Sequence, residues 1–206
     1  MGEDPKAVSA ADKAAVAVGQ EITRLVVGLV LEGQRALVIA GAARLDLALE
    51  NVLKHSMRHH PGGSDNLFDP DRPLGSFAAK IALCHRLGLV SDEVEHALQL
   101  VRRIRNEFAH SVGTAGLSES SHSNRLRELE RLCGSVQWFA TVHTHVLAAS
   151  QGRPEISVQV AVFSGALATL IGAIEAAAYF DAPFAPVHPA SFAIWSTLSN
   201  PPAPAV

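Results

Sequence analysis

The sequence is poor in cysteine, in aromatic residues and in charge. Its two cysteines, Cys84 and Cys133, do not form a Cys-x-x-Cys pair, which argues against a disulfide framework and against a zinc ribbon. Aromatic residues are 5% and charged residues 18% of the chain, whereas hydrophobic residues are 48%, chiefly Ala, Leu and Val. This composition favours packed helices over sheets. We therefore expect an all-α protein in a reducing compartment.

The chain has no excess of positive charge. It carries 17 Lys and Arg against 20 Asp and Glu, a formal net charge of −3, so no global field would draw it onto nucleic acid. Direct DNA binding is not expected, and RNA binding would need a local basic rim. The arginines that could form one are 102, 103 and 105, then 125, 127 and 131, and Glu128 and Glu130 dilute their charge. The ordinary alternative is a solvated face with paired charges.

The sequence gives no reason to expect export. Its first residues, MGEDPKAVSAADK, are acidic and polar, whereas a secretory signal needs a basic start and an apolar core, so we expect a cytoplasmic protein. The stretch from Ile156 to Ile174 has no charged residue over 19 positions, which approaches transmembrane length. Polar residues interrupt it, which favours a buried or dimer-forming helix over a membrane span.

Hydrophobic spacing and turn residues predict five helices before that apolar stretch. They are expected at about 11–31, 36–60, 74–88, from Ser91 or Asp92 to His110, and 124–147. Leu67 and Phe68 should fix the intervening loop, PGGSDNLFDPDRP, to the core. Residues 1–10 are expected to be a flexible lead, 11–150 a compact helical bundle, and 151–206 a C-terminal extension of an apolar helix and a Pro-rich, finally disordered tail.

The end of the predicted fourth helix carries an Arg-Asn-x-x-x-His element. Asn106 and His110 lie four residues apart on one helix face, and Arg105 lies about 140° from His110 around the axis. Such a set would suit metal-independent RNA cleavage, in which His takes a proton from a ribose 2′-hydroxyl and Arg stabilises charge on phosphorus. Alternatively, the element is structural: His110 interacts favourably with the helix dipole, and Arg105 or Asn106 binds backbone carbonyls or Asp46.

Other histidines do not predict a metal site. His55 and His59 are four apart and His60 follows, but no third ligand is evident and the Glu of a His-Glu-x-x-His signature is absent. His143 and His145 point to different helix faces. We expect neither a metal nor a cofactor.

Three ordered blocks carry a resemblance to a known family. They are LVIAGAARLDLALENVL, LFDPDRPLGSFAAKIALCHRLGLV and LQLVRRIRNEFAH. Together they resemble the mannitol operon repressor (MtlR-like) family over roughly residues 30–150. The resemblance implies an all-α transcriptional regulator without a recognisable DNA-reading helix-turn-helix, which would act through a protein partner. We expect it to form a homodimer.

The Arg-Asn-x-x-x-His element is also similar to that of HEPN domains, an all-α group of dimeric metal-independent ribonucleases and catalytically silent relatives. This similarity implies catalytic roles for Arg105, Asn106 and His110 if the chain is a ribonuclease. We assign Asp46, Arg102, Arg103 and Glu107 to binding around the same polar cleft. The sequence thus leaves two hypotheses, a dimeric regulatory protein and a HEPN-like ribonuclease.

Overall fold

A computed structural model of the chain describes residues 10–58, 62, 66–111, 116–150 and 153–180. Within these ranges the protein is an all-α bundle of seven helices, which confirms the predicted fold class. The helices are α1 (Ala10–Glu32), α2 (Gln34–Ser56), α3 (Phe77–Arg86), α4 (Asp92–His110), α5 (Ser120–Cys133), α6 (Gln137–Ala149) and α7 (Val158–Phe180). A short 3-10 helix, Asn66–Phe68, precedes α3.

The first two helices are separated by a single residue, Gly33. Its φ of +114° is a conformation that residues with a side chain rarely adopt, so glycine permits the chain to turn there. Helix α2 ends at Ser56, four residues before the predicted end, because Met57 has extended backbone. Phe68 is buried and Leu67 half-buried, so the loop is fixed to the core as predicted.

Helices α3 and α4 form the predicted αα-hairpin. Gly88 adopts a left-handed φ of +70° after α3, and the backbone N–H of Leu89 donates to the carbonyl of Cys84, which closes the helix end. A contact of 2.7 Å between His85 Nε2 and Asp92 Oδ1 joins the two helices. Ser91 caps α4, since its Oγ accepts from the N–H of Val94.

The sequence prediction for the fifth helix was wrong. The helix predicted at 124–147 is two helices, and it breaks where Gly134 and Ser135, both weak helix formers, precede the buried Val136. The first of the two, α5, already begins at Ser120.

Helix α7 is the centre of the bundle. It packs against α1, α2, α5 and α6 and touches α4, and its side chains from Val160 to Ile174 are buried on every side. A helix that is hydrophobic all round must be covered all round to remain in water. The domain boundary predicted at residue 150 stays a prediction. Helix α7, which lies beyond it, packs inside the bundle formed by the preceding helices.

The polar residues of α7 do not require water. Ser164 Oγ donates to the carbonyl of Val160 at 2.7 Å, and Thr169 Oγ1 donates to that of Gly165 at 2.8 Å. Within the described residues one segment, Val158–Ala177, is long and apolar enough to cross a membrane, and 94% of its apolar window is buried inside the bundle. This burial agrees with the predicted core helix.

Some expectations lie outside the described residues. They are the flexible lead over residues 1–9 and the Pro-rich tail from residue 181 onward, with its last seven residues. The sequence predictions for these segments stay predictions.

The crossing of α2 and α7 yields a stability prediction. A Cβ at Gly41 would lie 2.5 Å from Cδ2 of Leu167, which is fully buried and would have to shift within the packed core. Gly41→Val should therefore lower the free energy of unfolding by about 2 kcal/mol through overpacking.

The matched control is Gly28→Val on α1, where an added Cβ meets nothing within 4 Å. This variant should lie within about 0.5 kcal/mol of wild type, because valine and glycine differ modestly in helix propensity. Urea unfolding followed by circular dichroism measures both. Equal stabilities of the two variants would contradict the close approach of α2 and α7.

Candidate functional site

A cleft of about 410 Å³ opens between α2, the start of α3 and the second half of α4. This volume is typical of small-molecule pockets, which occupy roughly 300–1,000 Å³. Three of its polar side chains come from α4 and one from α2. They are Arg102, Arg105, Asn106 and Asp46.

The start of α3 forms one wall of the cleft. Gly75 must be glycine, because a Cβ there would clash with the backbone oxygens of Asp69 and Pro70. Ser76 then caps the helix, its Oγ accepting from the N–H of Ala79 at 3.1 Å. The helix thus begins three residues later than predicted, and its first two residues, Phe77 and Ala78, line the cleft.

Lys80 holds α3 against α2. Its Nζ donates to Asp46 Oδ2 at 3.1 Å and to Glu50 Oε2 at 2.7 Å, and only 3% of its side chain is exposed. Glu50 also accepts from Lys54 at 2.6 Å, and the Lys54 ammonium lies 4.9 Å from the ring centre of Phe68. The paired charges therefore connect α2, α3 and the loop between them.

Burial and hydrogen bonding act in opposite directions on these groups. Burial by itself lowers the pKa of Lys80, but its hydrogen bonds to Glu50 and Asp46 outweigh this effect, so the pKa is raised. Burial likewise tends to raise the pKa of Glu50, and the hydrogen bonds from Lys54 and Lys80 lower it overall. Both shifts favour the charged forms, so the ion pair is stabilised at neutral pH.

The two arginines of the cleft form hydrogen bonds to neutral amides and no ion pair. Arg102 donates to the amide oxygen of Gln99 at 2.8 Å, and Arg105 donates to that of Asn106 at 3.2 Å. Neither forms an ion pair with any residue that the structure describes. Because Lys80 already neutralises Asp46, the positive charge of both guanidinium groups remains uncompensated in the cleft.

The structure separates the remaining predicted site residues from the cleft. His110 and Arg103 are exposed and do not line it. Glu107 faces α5, where its Oε1 lies 2.7 Å from Arg125 and its Oε2 lies 3.4 Å from Nδ1 of the buried His122. The predicted site is thus divided between the cleft, the exposed end of α4 and the contact of α4 with α5.

The arginines of α5 bind neighbouring side chains and do not form an open basic rim. Arg125 pairs with Glu107, Arg131 makes a two-point contact with Glu128 at 2.8 and 2.9 Å, and Arg127 donates to Asn124. These contacts resemble the solvated, paired face that the sequence left open as the alternative. Arg102 and Arg105, which form no ion pair with a described residue, lie in the cleft and not on this face.

Among the described residues no group of three or more His, Cys, Asp or Glu could hold a metal ion. The predicted separation of His143 and His145 agrees with their contacts, a stacked Phe139 ring and the carbonyl of Thr141. Burial raises the pKa of the Cys84 thiol to about 12, so this thiol stays protonated and unreactive.

Sequence reasoning did not find the Lys80 network. The sequence interpretation offered Arg105 or Asn106 as partners of Asp46, whereas Lys80 binds it. The signal was present, because Lys80 is the one charged residue within the apolar segment FAAKIALC, and Asp46 and Glu50 are spaced four apart on the preceding helix.

The chain was compared with protein-family models, with curated proteins and with solved structures. None of the three comparisons gave a match. The resemblances described above therefore rest on the quoted sequence blocks, and the site rests on its own geometry.

The Lys80 network predicts a pH-dependent stability. Lys80→Met leaves Asp46 and Glu50 without their shared cation, and should lower the free energy of unfolding at pH 7 by about 2 kcal/mol, since both carboxylates keep some solvent contact. The contribution of Glu50, whose pKa is lowered on folding, is present above its unfolded pKa of about 4.3 and is lost as the pH falls further.

The difference between wild type and Lys80→Met should therefore shrink below about pH 4, as Glu50 becomes protonated. At the alkaline end, the contribution of Lys80 is present below about pH 10.4 and is lost as the pH rises through its raised pKa. Lys54→Met, which removes an exposed partner, should cost under about 1 kcal/mol. Denaturant unfolding of wild type, Lys80→Met and Lys54→Met across this pH range measures these effects. A difference between wild type and Lys80→Met that does not change with pH would contradict the role of the ion pair.

Proposed function

We propose that this protein is a cytoplasmic, non-enzymatic regulatory protein of the mannitol-repressor type. It works as a homodimer and acts on its target through a protein partner. The sequence blocks at 37–53, 67–90 and 98–110 are the basis for the family. The observation that favours binding over catalysis is that Arg105 and Asn106 line the cleft while His110 does not.

A nuclease of the HEPN type needs its base and its arginine around one phosphate. In a single chain Arg105 donates to Asn106 instead, and its cleft neighbours are Arg102, Asp46 and the start of α3. Asp46 and Lys80 hold two of the cleft walls together. This arrangement is suited to a rigid binding site, and among the described residues no histidine lines the cleft beside the arginines.

The ribonuclease remains the second candidate because one observation favours it. Arg105 and His110 are both exposed on the last two turns of α4, so the same helix of a second protomer could complete a shared site. In that reading His110 is the general base or acid, Arg105 stabilises the phosphorane and Asn106 positions the phosphate.

Incubation with RNA distinguishes the two functions. Purified full-length protein is mixed with total RNA in EDTA, beside Arg105→Ala, His110→Ala and the control His96→Ala, an exposed histidine of the same helix. The regulatory function predicts intact RNA with every protein. The nuclease predicts cleavage by wild type and by His96→Ala, and a loss of about 100-fold or more in His110→Ala.

The proposed dimer is tested by light scattering on the eluting protein. A mass twice that of the 21.8 kDa chain is expected over a range of concentrations. A monomer at all concentrations would contradict the homodimer, and it would also remove the shared site on which the ribonuclease depends.

A further inference from the structure

We propose that the cleft between α2, α3 and α4 binds a small phosphorylated molecule that also carries a hydroxyl group. This inference rests on the proposed function only for the regulatory role of the ligand, since the site itself stands on the geometry of the cleft. Three features of the cleft favour such a ligand: the positive charge of its arginines, the N–H groups at the start of α3 and the carboxylate acceptor Asp46.

The positive charge comes from Arg102 and Arg105. They lie three residues apart on α4, both line the cleft, and their described hydrogen bonds are to the neutral amides of Gln99 and Asn106. Arg44, Arg125 and Arg131 each pair with a carboxylate, so the two cleft arginines differ from these in being available to an anion. Arginine binds the oxygens of a phosphate with two parallel donors.

Backbone donors come from α3, a helix of 10 residues whose first turn faces the same cleft. The first N–H groups of a helix have no acceptor within the helix, and the helix dipole adds a partial positive charge there. Ser76 satisfies the N–H of Ala79, and Phe77 and Ala78, the first two residues of the helix, line the cleft. Two arginines facing a helix start form a cradle for a phosphate.

The acceptor is Asp46, which sets the rest of the ligand. Its Oδ2 accepts from Lys80, while its Oδ1 is buried and has no hydrogen-bond partner among the described residues. Because Oδ1 is enclosed by the protein, the part of Asp46 that a ligand can reach is the exposed 29% of its side chain, where Oδ2 can accept a ligand hydroxyl beside Lys80. A carboxylate also disfavours an anion that brings no donor. The cleft is thus suited to a phosphate ester with a hydroxyl.

The volume supports a small molecule over a nucleic-acid strand. At about 410 Å³ the cleft lies at the low end of the range for small ligands. Apolar residues line its α2 side, Ile39 and Ala42 among them, and they would contact the carbon skeleton of the ligand. Because His110 does not line the cleft, a phosphate bound here would not lie beside the histidine that a ribonuclease would use as its base.

The test is calorimetric titration of the full chain at constant ionic strength with glycerol 3-phosphate and methyl phosphate. The two probes share the phosphate ester, but only the first has hydroxyl groups. Wild type should bind glycerol 3-phosphate more tightly than methyl phosphate. Arg102→Gln and Arg105→Gln should each weaken both by about tenfold or more, because each removes a charge-assisted hydrogen bond.

Arg103→Gln is the matched control, since Arg103 is exposed on the same helix and does not line the cleft. It should bind both probes as wild type does. Asp46→Ala should erase the preference for glycerol 3-phosphate. If that variant does not fold, the comparison of the two probes on wild type decides the role of the acceptor.

Two results would overturn the inference: no heat of binding with either probe, or an equal loss of binding in all three arginine variants, which would indicate non-specific charge attraction. Equal affinity of wild type for both probes would contradict the role of Asp46. These outcomes are separate from the RNA assay. RNA cleavage overturns the proposed regulatory function and leaves the titration unaffected, whereas a failed titration leaves the RNA result standing.

Discussion

The burial of α7 is the constraint on which the other helices depend. A helix without a polar face between Val160 and Ile174 must be covered on all sides, and four helices from the preceding sequence, α1, α2, α5 and α6, cover it. Close approach requires small residues where helices cross, and Gly41 on α2 faces Leu167 while Gly165 on α7 faces Phe139. The cover therefore fixes where α2 lies, and with it one wall of the cleft.

The second constraint is electrostatic and acts at the edge of this core. Helices α3 and α4 lie away from most of α7, and α3 is held to α2 by a buried lysine between two carboxylates. Since those carboxylates are occupied by Lys80, they do not neutralise the arginines of α4. The same pairing that orients α3 thus leaves Arg102 and Arg105 charged and facing the start of that helix. Packing and charge distribution cannot be separated at this site.

Much of the helical organisation was predictable from local sequence signals, and much of the site was not. Ser91, Gly88 and Gly33 mark helix ends by their own conformational preferences, so these ends were found to within a few residues. The break at Gly134 was missed because the hydrophobic pattern continues through it. The apolar α7 could be recognised as a helix, but its central position depends on contacts with residues more than a hundred positions earlier.

The site illustrates the same limit for side chains. Helical spacing places Asn106 and His110 on one face, yet it does not say how far a neighbouring helix extends along that face. The start of α3 meets α4 near residues 102–106 and not at His110, because Ser76 and Gly75 end the preceding loop at that level. Helix α3 therefore shares a cleft with Arg105 and Asn106 and leaves His110 outside it. The level at which α3 meets α4, and the close approach of Gly75 to the backbone of Asp69 and Pro70, are tertiary contacts that spacing within α4 does not reveal.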